Sequence, residues 1–152
     1  MNAFSRVVLT LLLLFVGYGK SHGTSITPCE PKDFIGDWCG LSTSGIEFVR
    51  LELDRDGGHM AMLEVPDAPF HLYRIHWKQT SEGSTQLRLS ASPVGGHAET
   101  IALSNATYDG LYSLKFRLSG KNWQSDFVLF KNLDKLSASG KRALFRIRWF
   151  HF

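Results

Sequence analysis

Apolar and polar residues alternate along most of the chain with a period of two. The segment LYSLKFRLSG is the clearest instance: Tyr112, Leu114, Phe116 and Leu118 share one parity, and Ser113, Lys115 and Arg117 share the other. Successive strand side chains point to opposite faces, so this pattern predicts a half-buried strand. In VRLELDRDGGHMAMLEV, Val49, Leu51 and Leu53 alternate with Arg50, Glu52 and Asp54. Arg55 to Gly58 then supplies turn chemistry, because glycine tolerates positive φ, and the chain returns from Met60 to Val65. The same rhythm places Tyr73, Ile75 and Trp77 on one face, then Leu87 with Leu89, Ile101 with Leu103, and finally Phe127. Strands recur roughly every 10–14 residues, with glycine-bearing turns between them. A 3.6-residue period of ordinary helix length is not seen, and only a short helical turn is expected at 133–137. Eight strands are thus expected between Gly36 and Lys131, each antiparallel to its sequence neighbour. They close most simply into an all-β up-and-down barrel, whose interior is filled by side chains or holds one small ligand.

The two ends break the rhythm. The N-terminal residues begin with a basic residue, Arg6, ahead of an apolar run from Val7 to Val16, and then small residues at Gly17, Gly19, Ser21 and Gly23. That order is the order of a secretory signal peptide, with cleavage after Gly19 or, as the second choice, after Gly23. An uncleaved anchor is the minority reading, since the run is shorter than the ~20 residues of a membrane span. The domain reading is a leader at 1–19, an arm at 20–33, a barrel at 34–131 and a polar linker with a basic aromatic strand at 132–152. In that last segment Phe145, Ile147 and Trp149 alternate with Arg146 and Arg148, which predicts a ninth strand along the barrel. The sharper alternative is a membrane-surface segment, since Lys141, Arg142, Arg146 and Arg148 lie beside aromatics.

Removing residues 1–19 from 152 leaves 133, enough for one domain with its own core. The formal net charge of +3 falls to +2 without Arg6, and long basic runs are absent, which argues against nucleic acid. The chain's two cysteines, Cys29 and Cys39, both lie in the exported part, so one disulfide is expected to tie the arm to the first strand. Nucleophile-elbow, phosphate-loop and zinc motifs are missing, and the six histidines show no ligand spacing. A non-enzymatic protein without metal or cofactor is therefore expected. Asn105-Ala106-Thr107 is a glycosylation sequon, relevant only in a eukaryotic secretory pathway. Tyr73, Ile75, Trp77, Tyr112, Leu114, Phe116 and Phe127 form an inward stripe that serves either as core or as the lining of a ligand cavity.

Gly36-Asp37-Trp38, opening the first strand, resembles the lipocalin signature, in which the tryptophan closes one end of the barrel. The chain is similar in rhythm to small secreted lipocalin-like domains of bacteria, including those that precede α/β-hydrolase domains. GDWCG matches their G-x-W-x-G start, LELDRDGGHMAMLEVPD their first hairpin, and LSGKNWQSDFVLFK their closing turn and strand. The likeness covers roughly Phe34 to Lys131. It lacks the T-D-Y turn of lipocalins and any hydrolase half, so no catalytic residue carries over. It implies that Phe34, Gly36 and Trp38 close the barrel and that a basic residue covers Trp38, with Lys131, Arg146 and Arg148 as candidates. The expected function is a secreted or periplasmic barrel that binds a small apolar or amphipathic ligand. The alternative is an exported interaction module, an inhibitor or envelope accessory protein, with a packed barrel and a protein partner. No membrane span is expected in the mature chain.

Overall fold

The computed structural model describes residues 27–64, 70–96, 98–110 and 113–148. The expected leader and its expected cleavage region, Tyr112 and the last four residues lie outside them. A four-residue helix α1 (Pro31–Phe34) leads into strands β1 (Gly36–Leu41), β2 (Glu47–Leu53), β3 (Gly58–Glu64), β4 (Phe70–Gln79) and β5 (Gln86–Pro93). Two short strands follow, β6 (Ala102–Leu103) and β7 (Ala106–Tyr108), then β8 (Ser113–Ser119) and β9 (Gln124–Phe130). A 3-10 turn at Leu133–Lys135 and helix α2 (Ala138–Arg148) end the described chain.

Every strand pairing is antiparallel. Strands β1 to β5, then β7, β8 and β9, follow one another around a ring, and β9 returns to β1 at Cys39↔Phe130. The fold is the expected eight-strand up-and-down barrel. The ninth strand is not the C-terminal segment but β6, which pairs only with β8, outside the ring. β6 and β7 lie along the same edge of β8 with registers offset by one residue, Leu103↔Leu118 and Thr107↔Lys115. Ser104 and Asn105 take up the offset as a bulge. The Ser104 amide donates to the Arg117 carbonyl at 2.9 Å, and its hydroxyl accepts from the Arg117 amide at 2.9 Å.

The inner wall is apolar from end to end, with Trp38, Leu51, Met60, Tyr73, Ile75, Leu114 and Phe127 among its fully buried side chains. A second apolar cluster lies on the outside of β1 to β3, where Cys39, Phe48, Ala61 and Leu63 pack under Leu136, Ala143 and Leu144. This corrects the expected C-terminal strand. Leu136, Gly140, Ala143 and Leu144 recur at i, i+4, i+7 and i+8, the spacing of one helix face. That face buries apolar surface that a strand of period two would leave half exposed.

Candidate functional site

The two ends of the barrel differ in which loops lie there, and one of them is closed by the arm. The turns at 54–57 and 80–85, the arm and Lys131 gather at the closed end. Helix α1 starts with Pro31 at its first turn and a capping box in which the Glu30 amide donates to Asp33 Oδ2 at 2.8 Å. It delivers Phe34 into the barrel mouth, where that ring meets Tyr108 edge-on at 5.6 Å and Trp77 at 6.2 Å. Trp38 lies beneath, 6.0 Å from Tyr108, and its indole N–H donates to the Phe34 carbonyl at 2.8 Å. Gly36 enters β1 at φ +131°, a backbone that side chains rarely adopt. Gly40 is required for a different reason, since a Cβ there would meet the Val128 carbonyl at 2.1 Å.

Of the three candidate bases, Lys131 covers the tryptophan. Its Nζ sits 4.8 Å over the Trp38 ring and donates to the carbonyls of Asp33 at 2.6 Å and Ile35 at 2.9 Å. Burial pushes the Lys131 pKa down, and the nearby Asp33 charge partly opposes this. The ammonium thus joins the end of the last strand to the carbonyls at the end of α1.

The expected disulfide is absent: neither Cys29 nor Cys39 is part of a disulfide. The barrel wall separates them. Cys39 faces outward beneath α2, whereas Cys29 packs on the inner cluster at the closed end. The arm is held instead by polar contacts. The Cys29 amide donates to the Gly83 carbonyl at 3.3 Å, and the Gln79 side-chain amide donates to the carbonyls of Cys29 at 3.0 Å and Ser84 at 2.9 Å.

Toward the opposite end the inner stripe changes character. Tyr73 is 1 % exposed, opposite Met60 on one side and Pro93 on the other. Its hydroxyl is buried and has no hydrogen-bond partner among the described residues. Burial, and then the Glu99 charge, raise its pKa, so the phenol stays protonated and is available as a donor. Met60 pairs with it across the ladder, and Met62, Ala91 and Ala98 are adaptable or small members of the same core cluster. Residues 98–101 return across this end, with Ile101 buried. Glu99 fastens them to the β8–β9 turn by accepting from the Lys121 amide at 2.5 Å and the Trp123 indole N–H at 2.9 Å. Those two donors, the Lys121 amide first, hold the Glu99 carboxyl below its ordinary range. A second carboxylate, Glu47, ties the β1–β2 loop to β9 by accepting from Ser42 at 2.5 Å and Ser125 at 2.9 Å. Burial would raise its pKa, but the serine hydroxyls outweigh burial and hold it low.

Of the predicted lining residues, the fold brings Tyr73, Ile75, Leu114, Phe116 and Phe127 together inside, with Phe116 and Phe127 stacked at 5.8 Å. Trp77 belongs to the closed end, where its indole N–H donates to the carbonyls of Asp54 at 2.8 Å and Gly57 at 3.0 Å. Tyr112 lies outside the described residues. Glu99, Trp123 and Tyr108 were not singled out by the sequence pattern, and the only signal for Trp123 was its place in a Gly-to-Trp turn. A separate cleft of about 390 Å³ opens on the outer face of β8 and β9, beside the bulge, with Asn105, Lys115, Arg117 and Asp126 on its walls. Arg117 and Asp126 form an ion pair there at 2.6 Å. Among the described residues, His, Cys, Asp and Glu form no group able to hold a metal ion, and no helix is long and apolar enough to cross a membrane. No family model, curated protein or solved structure matches this chain.

Proposed function

We propose that this protein is an exported, non-enzymatic, lipocalin-like barrel that takes a small amphipathic molecule in its interior, at the end opposite Lys131. The single observation that carries the reading is the Tyr73 hydroxyl, buried and unpartnered inside an apolar barrel. An unmet buried hydroxyl costs about 1–3 kcal/mol, and a phenylalanine would fill the same space without that cost. A ligand carbonyl or hydroxyl oxygen that accepts from Tyr73 removes the penalty, while its apolar part packs between Met60, Met62 and Ala91. The G-x-W start and the Lys131 cover over Trp38 support the family likeness.

The test is titration of the full chain with the fluorescent apolar probe N-phenyl-1-naphthylamine, followed by displacement with dodecanamide. Saturable binding and displacement are expected. Tyr73→Phe should weaken dodecanamide about fivefold, the worth of one neutral hydrogen bond, and leave the probe unaffected. Absence of saturable binding by either compound overturns the reading, and an unchanged dodecanamide affinity in Tyr73→Phe removes the hydroxyl from it.

A further inference from the structure

Charge is distributed unevenly along the chain. Residues 135–152 contain Lys135, Lys141, Arg142, Arg146 and Arg148 and no Asp or Glu. The other twelve Lys and Arg face fourteen Asp and Glu, so the remainder of the molecule is net negative while this segment holds +5. Residues 138–148 of it form α2, a helix whose apolar face is already spent on the barrel through Ala143 and Leu144, with Leu136 just ahead of it. The opposite face is thereby fixed outward. Lys141 and Arg142 are exposed on it, and Phe145 stands among them one turn on, 62 % exposed, the most exposed large apolar side chain among the described residues.

We propose that the outward face of α2 docks on an anionic lipid surface, with Lys141 and Arg142 on headgroup phosphates and Phe145 inserted between the headgroups. Cations beside a negative leaflet are attracted individually, and an aromatic ring at headgroup depth adds apolar burial. An interfacial helix ordinarily presents its apolar stripe to lipid. Here the barrel occupies the stripe, so the attraction is chiefly electrostatic and reversible by salt. The acidic remainder of the molecule is repelled by the same surface, which favours contact through α2 alone.

Vesicle flotation of the full chain tests this, with phosphatidylcholine alone and with phosphatidylcholine mixed with phosphatidylglycerol. Binding is expected only to the mixed vesicles at low salt, and it should be lost at about 1 M salt. The double variant Lys141→Gln/Arg142→Gln should bind about thirtyfold more weakly, because each cation contributes separately. Phe145→Ser should bind about tenfold more weakly at unchanged charge. All three positions are exposed, so unaltered melting curves are expected to show that the variants fold. Equal binding to both vesicle types, or full binding by the double variant, overturns the proposal. So does polyglutamate that competes as well per charge as the vesicles, which would make the face a site for acidic protein.

Discussion

At the scale of single residues, Lys131 shows how one side chain can serve packing and polar satisfaction together. Its ammonium meets the carbonyls of Asp33 and Ile35 and covers the Trp38 ring. Lys131→Ala should destabilise the fold by about 2 kcal/mol, from lost charged hydrogen bonds and the cation–π contact, and should shift Trp38 emission as water reaches the ring. Urea titration followed by tryptophan fluorescence checks both, and an unchanged midpoint contradicts the role. The identity of Trp38 as a plug was legible, since a G-x-W triplet opens the first alternating strand. Which base covers it was not. Three basic residues lie within reach along the sequence, and only the pairing of β9 with β1 selects Lys131. Tyr73 was legible as inward-facing from its parity, but the orphaned state of its hydroxyl depends on what Met60, Pro93 and Glu99 do around it.

Among the elements, α2 is where pattern reading failed, for a physical reason. Residues 145–149 satisfy a period of two as well as they satisfy a helix, so the local signal is degenerate. The resolving signal lay in the strands it covers. Phe48-Val49 and Ala61-Met62-Leu63 are apolar on both parities, which marks walls buried on both faces and calls for a covering element. The sixth strand was legible only in part, because the bulge at Ser104 and Asn105 splits it and moves Tyr108 from turn to strand. The disulfide misreading came from counting cysteines without knowing which face each takes. Under α2, Cys39 is 1 % exposed. A thiol reagent should therefore modify Cys29 in the native protein and leave Cys39 intact until unfolding. Burial and the Asp33 charge raise the Cys29 thiol pKa, so its reaction should be slow near neutrality and accelerate with pH. Intact mass spectrometry after timed labelling reads this, and rapid double labelling would place α2 elsewhere than on the wall.

For the molecule as a whole, three carboxyls set the acid limit. Glu47, Glu99 and Asp126 all have folded-state pKa values below their ordinary ones. Each therefore binds a proton more readily when the chain is unfolded. Their stabilisation is complete above the usual carboxyl range of about 4 and is lost as pH falls through the lower folded values. Half-buried Glu47 should contribute more than the two exposed groups, whose interactions water screens. Urea midpoints should hold between pH 7 and about 5 and then decline, and Glu47→Gln should flatten that decline. A midpoint that rises on acidification would contradict the assignment. The ring itself is also unevenly built. The β1–β5 ladders and the β8–β9 ladder each run through six or seven residue pairs, yet β5 meets β7 at only Gln86↔Thr107 and Leu87↔Ala106. β1 meets β9 at Cys39↔Phe130 and the lone bridge Ser42↔Phe127. Mechanically the barrel is therefore two curved leaves, one of five strands and one centred on β8 and β9, joined along two thin seams. Parting the leaves breaks few ladder bonds, so the interior can widen along its sides while each leaf keeps its shape.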